Sequence, residues 1–278
     1  MSKPVYLIDA SIYIFRAYFA IPDEWHTDDG YPVNALYGYT QFLLKFLQTA
    51  RPDQLAIAYD ESLGSCFRNG IYADYKVSRA LPDEELAFQL AACKALTERL
   101  GITSLASDRY EADDIIATLA TNAQQQQKTV AIVTRDKDLG QLLLSPEDYL
   151  WDFAADKKMD AQHIVEHFGV RPDQLLDYLS LLGDSVDDIP GVPGIGKKTA
   201  QRLIIEMKDK VDVDAITAAD PKATPQASQF GKNTEAESAL QALGFKPQEA
   251  SMMVKKVATD DMAVEDIIRT CLQLRGQG

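Results

Sequence analysis

Five acidic stretches, far apart in the chain, could carry out chemistry: Asp9, Asp60, Glu111-Ala-Asp113-Asp114, Asp136-Lys-Asp138 and Asp184-Ser-Val-Asp187-Asp188. Any one Asp at such a place is more simply a turn former or helix cap. Glu111, Asp113 and Asp114 also suit the positive end of a helix dipole. The five stretches together are not explained that way, because gathered acids repel one another unless cations neutralise them. Oxygen-only ligands, with no partnering His or Cys, favour a hard divalent cation, magnesium or manganese. Two such ions about 4 Å apart can activate water and stabilise the leaving oxygen in phosphodiester hydrolysis.

Two further segments bear on phosphate. Gly191-Val-Pro-Gly194-Ile195-Gly196-Lys197-Lys198-Thr199-Ala-Gln-Arg202 has the form of a helix–hairpin–helix. Its glycines allow a tight turn and close backbone approach. The helix that follows begins with free N–H groups, which suit a phosphate, and Lys197, Lys198 and Arg202 add positive charge. This is a sequence-independent backbone grip, the alternative being an ordinary turn between core helices. The spacing to lysine excludes a Walker-type loop. In residues 66–79, Arg68, Lys76 and Arg79 interleave with Phe67, Tyr72 and Tyr75. Cations with aromatics suit a single strand whose bases stack, though a partly buried loop reads similarly.

The elements that must position these residues come from hydrophobic pattern. Residues 5–9, 55–60 and 130–134 are short apolar runs, as strands buried on both faces should be. Helical spacing fills 34–48, 84–99 and 111–123 between them. Strand alternating with helix predicts an α/β fold with a mostly parallel sheet flanked by helices. Ligands sit outside the carboxyl ends of such strands, where Asp9, Asp60 and the Asp136 stretch fall. After about residue 170 the strands are expected to stop. The expected organisation is a catalytic domain over 1–170, a helix–hairpin–helix subdomain over 171–212, a linker over 213–236 and a small helical module over 237–278.

The chain has 278 residues, 46% of them hydrophobic and 25% charged, in the usual range for a globular protein. Its net charge of −14 argues against nucleic-acid binding unless a local basic face is concealed within it. No apolar run reaches the roughly 18 residues of a membrane span, and the N-terminus has no signal-peptide pattern. Cys66, Cys93 and Cys271 are scattered without zinc-ligand spacing, which fits a reducing cytoplasm.

From residue 5 to about 207 the chain resembles the 5′-nuclease domain of bacterial DNA polymerase I and the bacterial and phage flap endonucleases. The matching pieces are Leu7-Ile-Asp9 with Arg16-Ala-Tyr, Tyr59-Asp60, Tyr75-Lys76-x-x-Arg79, Glu111-Ala-Asp-Asp114, Asp136-Lys-Asp138, and Gly183-Asp-Ser-x-Asp187 running on to Gly196, in the same order. The resemblance implies a PIN-like, resolvase-like fold and two-metal hydrolysis of DNA at 5′ ends and flaps by a stand-alone monomer. It implies two magnesium sites, with manganese able to substitute. Asp9, Asp60, Glu111, Asp113 and Asp114 would serve the first. Asp136, Asp138, Asp184 and Asp187 would serve the second, with Asp113 near both. Lys76 and Arg79 look like gateway cations that steer the scissile phosphate, and Tyr75 like a residue on which a displaced base stacks. The hairpin resembles one that holds a potassium ion through the backbone carbonyls of Leu181, Leu182, Pro190, Val192 and Ile195. DNA contacts would come from Gly194, Ile195, Gly196, Lys197, Lys198 and Thr199. Two departures touch the gateway region: Arg135 stands where the family often has glycine, and Ala80-Leu81-Pro82 where it often has a proline pair.

Residues 237–275 invite a second comparison. Leu243-Gly-Phe245, Glu249-Ala-Ser251 and Ile268-Arg269 resemble the small helical module that ends the DNA-binding subunit of the Holliday-junction branch-migration complex. That module docks on a ring ATPase, so the resemblance implies a protein partner. The alternative is that these are the terminal helices of the nuclease itself. Rival functions for the whole chain are an RNA-cutting nuclease and a DNA-binding module with a dead site.

Overall fold

The computed structural model describes residues 3–62, 64–207 and 247–257, with Ile267, Thr270 and Cys271. It divides into two compact units, Met1–Lys208 and Asp209–Gly278.

The first unit is built on a six-stranded sheet. Its strands are β1 (Val5–Asp9), β2 (Gln54–Asp60), β3 (Thr103–Ser107), β4 (Val130–Val133), β5 (Tyr149–Asp152) and β6 (Lys157–Met159), in the order β3-β2-β1-β4-β5-β6. All neighbours are parallel except β6, which runs antiparallel to β5. The chain proceeds outward from β1 to β3 and then returns to lay β4 on the other side of β1. The crevice between β1 and β4 is therefore a topological switch point, where doubly wound sheets bind ligands.

Alternation along β1 explains why its run is apolar throughout. Tyr6 and Ile8 face one core, with Ile14, Tyr39, Leu43, Phe46 and Cys93. Those residues come from α1 (Ala10–Ala20), α2 (Asn34–Ala50) and α4 (Glu84–Arg99). Leu7 faces the other core, with Ile116, Ala120, Ile164, Leu175, Ala200 and Ile204. Those come from α5 (Ala112–Gln125), α6 (Ala161–Phe168), α7 (Leu175–Leu182) and α8 (Lys197–Met207). Between β2 and α4 lies the short α3 (Phe67–Ile71).

The mostly parallel sheet flanked by helices is as expected, with three differences. The edge strands β3 and β6 and the inner β5 add to the expected three; Thr-Ser-Leu-Ala-Ser and Lys-Lys-Met carry no continuous apolar run to reveal the two edges. Strands do not stop at 170, since β7 (Gly183–Asp184) and β8 (Ile189–Pro190) form a small antiparallel pair. The expected division at 170 is also not a break in packing, because α7 and α8 share one core with β1 and β4.

In the second unit, α9 (Pro247–Val257) falls within the expected helical module, and Val254, Ile267 and Cys271 are buried. The expected linker, 213–236, lies outside the described residues. Among the described residues no helix is long and apolar enough to cross a membrane. The three cysteines are free and buried.

Candidate metal centre

The carboxyl edge of the sheet gathers the acids. Asp9 ends β1 and caps α1, accepting the Ser11 N–H at 3.1 Å. The Thr134 hydroxyl is its other donor, at 3.4 Å. Burial, then the charges of Asp136 and Asp60, push the Asp9 carboxyl up to about 7. Asp60 ends β2 and accepts the Ser62 hydroxyl at 3.1 Å. Asp113, in the first turn of α5, is pushed up to about 8 by burial and by Asp9, Asp136 and Glu111. Asp136 follows β4 and takes the Asp138 N–H at 2.8 Å. Asp138 is raised to about 6 by burial and then by Asp136, Asp184 and Asp187. The acids thus form one continuous field, from Asp60 and Asp9 through Asp113 and Asp136 to Asp138, Asp184 and Asp187.

Cations from the segment after β2 enter this field. The Lys76 ammonium lies 2.6 Å from Glu111 Oε1 and 3.7 Å from Asp187 Oδ2. Arg79 meets Asp187 Oδ1 at 2.5 Å. Burial raises the Asp187 carboxyl, against the opposing pull of Lys76 and Arg79. Arg68 forms a two-pronged pair with Asp114, 2.7 Å on each side, and approaches Glu111 at 3.4 Å. Asp114 in turn accepts the Glu111 N–H at 3.0 Å, closing a capping box on α5. Despite its burial, Asp114 is held below the usual carboxylate range by Arg68 and that N–H. Among the described residues, no three His, Cys, Asp or Glu side chains are close enough together, as they stand, to hold one ion. The donor set nevertheless fits a divalent cation: it is all oxygen, and Asp9, Asp113 and Asp138 lie partly or wholly buried among charges of their own sign.

The segment is also strapped to the β7–β8 hairpin. The Lys76 N–H donates to the Asp187 carbonyl at 3.0 Å. The Ser78 N–H and hydroxyl both reach Asp188 Oδ2, at 2.9 and 2.7 Å. Tyr75, expected to offer its ring to a displaced base, does something else here. It is 5% exposed. Its hydroxyl donates to Glu111 Oε2 at 2.7 Å, and its ring lies under Lys76 at 5.0 Å and Arg68 at 5.8 Å. In this arrangement the ring is not open to a base. Nor did the spacing reveal the role of Arg68, which the sequence shows only as one of three cations in 66–79.

The glycine turn has the close backbone approach expected of it. Gly183 has φ +73°, and a Cβ on Gly191 would stand 2.1 Å from the Leu182 carbonyl oxygen. The Leu181 carbonyl accepts the Val192 N–H at 2.9 Å, and the Val192 carbonyl accepts the Ile195 N–H at 3.1 Å. Each carbonyl retains a second lone pair. Pro190 sits opposite Gly183 in the hairpin ladder. Gly194 and Gly196 are exposed at the turn, and Lys197, Lys198 and Thr199 are exposed on the first turn of α8.

Comparison with known families decides the kinship. The 5′-3′ exonuclease N-terminal resolvase-like domain matches residues 4–169, and the 5′-3′ exonuclease C-terminal SAM fold matches 170–246. The chain belongs to the 5′-3′ exonuclease family. Within that family it is 36% identical over 202 residues to the 5′-3′ exonuclease of Aquifex aeolicus, covering 73% of this chain and 69% of that protein. It is 39% identical over 212 residues to DNA polymerase I of Rhizobium leguminosarum, covering 74% of this chain and 21% of the polymerase. The chain thus spans about a fifth of the polymerase's length. The family fold is seen also in the bacteriophage T5 flap endonuclease, solved as a pseudo-enzyme–product complex with DNA and metal ions. Its TM-score is 0.58 at 19% identity, over 97% of this chain and 98% of that one. Beyond the exonuclease domains, residues 231–274 match the C-terminal domain of RuvA, in agreement with the resemblance read from the sequence.

Proposed function

We propose that this chain hydrolyses DNA phosphodiesters at 5′ ends and flaps, using divalent ions held at the carboxyl edge of the sheet. The observation that carries the reading is the convergence of five acidic stretches at one edge, with the Asp9 and Asp113 carboxyls raised by burial and then by neighbouring carboxylates, Asp136 and Asp60 on Asp9, and Asp9, Asp136 and Glu111 on Asp113. Asp9, Asp60, Glu111, Asp113 and Asp114 are assigned to one ion, and Asp136, Asp138, Asp184 and Asp187 to the second, with Asp113 near both. Magnesium is the favoured ion and manganese its substitute. When bound, the ions supply an activated water and neutralise charge on the leaving oxygen.

The protein's own groups position the strand. Lys76 and Arg79 exchange Glu111 and Asp187 for the oxygens of the scissile phosphate. Arg68 keeps Asp114 and Glu111 in place through its pairs with both. Gly194 to Thr199, apart from the Ile195 N–H that the Val192 carbonyl already accepts, present backbone N–H groups and two lysines to a neighbouring phosphate. The carbonyls of Leu181, Leu182, Pro190, Val192 and Ile195 would hold a potassium ion. The relatives support this reading by their printed descriptions: a 5′-3′ exonuclease, and a flap endonuclease bound to DNA and metal ions. The chain is taken to act as a cytoplasmic monomer. The match to the RuvA C-terminal domain supports docking of a protein partner through residues 237–278.

The test is incubation with labelled 5′-flap DNA and matched RNA, with magnesium or with chelator. Magnesium-dependent cutting of the DNA is expected. Retained binding without cutting would instead indicate a binding module, and preference for the RNA an RNA nuclease. Deleting 237–278 should remove a partner from a pull-down; an unchanged profile would refute the docking role.

A further inference from the structure

One group of exposed basic side chains joins a lysine of the acid loop and a lysine of the glycine-turn helix to two residues, Lys157 and His167, that belong to neither. The Lys137 ammonium lies 3.2 Å from His167 Nε2, in the last turn of α6. The His167 ring stands edge-on to Phe168, centroids 4.6 Å apart. Lys157 opens β6, and Lys197 opens α8. Burial first, then the charges of Lys137, Lys197 and Lys157, hold the His167 imidazole below its ordinary range, so all three ammonium groups lie within electrostatic reach of one ring. All four side chains are exposed, and among the described residues none of the three lysines makes a salt bridge.

Three lysines with no salt bridge among the described residues, within electrostatic reach of one ring on a chain of net charge −14, form a local field opposite in sign to the whole. Such a field repels itself until an anion enters it. Its members connect the two places already assigned to nucleic acid. Lys137 stands between Asp136 and Asp138 of the acid field, and Lys197 begins the helix after the glycine turn.

We infer that Lys137, Lys157 and His167, together with Lys197, form a phosphate-binding strip that carries one DNA strand between the metal centre and the hairpin. In it the neutral imidazole accepts one N–H of Lys137 and aims the remaining ammonium hydrogens outward. The strip meets phosphate oxygens, so it holds the strand in register without reading its sequence. The inference rests on the proposed DNA reading and names residues that the glycine turn alone does not supply.

The experiment measures binding of labelled 5′-flap DNA over a salt series, in chelator so that nothing is cut. It compares the wild-type chain with Lys157→Gln and with the double variant Lys157→Gln/His167→Gln. Neither position lies on the metal loop. For Lys157→Gln, the slope of log affinity against log salt should shrink by about 0.7 to 0.9, as expected when a single phosphate is no longer neutralised. The double variant should weaken binding further at fixed salt, by several-fold. Lys3→Gln, which alters a lysine paired with Asp53 on the opposite edge, should leave the slope unchanged. Wild-type slope in Lys157→Gln would overturn the strip while leaving the proposed function intact. Failure of the wild-type chain to bind DNA would overturn both.

Discussion

The two edges of the central sheet treat a buried carboxylate in opposite ways. At the amino edge, Asp148 is fully buried and receives three donors: the Val130 N–H at 2.8 Å, the Ser145 N–H at 2.9 Å and the Gln124 amide at 2.9 Å. At the carboxyl edge, Asp9 is almost as buried but has one N–H and one long hydroxyl contact. Asp136 and Asp60 add charges of its own sign. Burying a charge is costly unless it is paired. Asp148 is satisfied within the protein and so ties β4 to β5. On the proposed reading, Asp9 and its companions are completed by a cation from outside. The same residue type is therefore structural at one edge and poised for chemistry at the other.

The largest expected effects separate the edges by what they damage. Asp9→Asn or Asp184→Asn should cut cleavage by about a thousandfold or more, the scale on which loss of charge stabilisation at a reacting centre is felt, with DNA binding retained. Full activity in both would break the comparison. Asp148→Ala should do the reverse. It strands two backbone donors and should lower unfolding free energy by about 3 kcal/mol, measured by urea denaturation, while the surviving folded protein cuts normally.

Acidity sharpens the contrast next. Asp9, Asp113 and Asp138 are raised from 3.8 to about 7, 8 and 6. A raised carboxyl makes no difference to stability below the unfolded value. It destabilises progressively as pH climbs from there to the folded value, after which the penalty is constant. In chelator this contribution should lower the unfolding temperature between pH 5 and pH 8. Magnesium should restore more at pH 8 than at pH 5. Equal magnesium shifts at both pH values would remove the electrostatic basis of the site.

Much of this edge was legible in the sequence. Apolar runs ending in Asp9 and Asp60 announced both strand and acid, and Glu111, Asp113 and Asp114 read as acids at the start of a helix. What stayed hidden depended on partners distant in the chain. Arg68 and Asp114 are 46 residues apart, and nothing local says which of Arg68, Lys76 and Arg79 meets which acid. A tyrosine between cations reads alike whether its ring awaits a base or its hydroxyl is buried against Glu111. Edge strand β3 was missed because its small polar residues lack the run that marks a strand buried on both faces.

The hidden pair provides a smaller test. Arg68→Gln should raise the magnesium concentration for half-maximal activity roughly tenfold, as expected when a group orienting metal ligands is lost. Arg68→Lys should recover only part, since one ammonium cannot replace the two-pronged pair. In direct manganese binding, Arg68→Gln should show the same weakening without DNA present. Unaltered metal affinity would make Arg68 purely structural. Smallest of all, Lys3→Gln at the amino edge breaks an exposed pair with Asp53 and should change stability by less than about 1 kcal/mol.

The central claim is that the acids at the carboxyl edge are an ion-binding set. Its most direct test is manganese titration of the metal-free chain, followed by calorimetry or by the paramagnetic signal of free manganese. The account predicts two bound ions per chain, with Asp113→Asn weakening both. No saturable binding at millimolar manganese, or identical isotherms for wild type and Asp113→Asn, would contradict it.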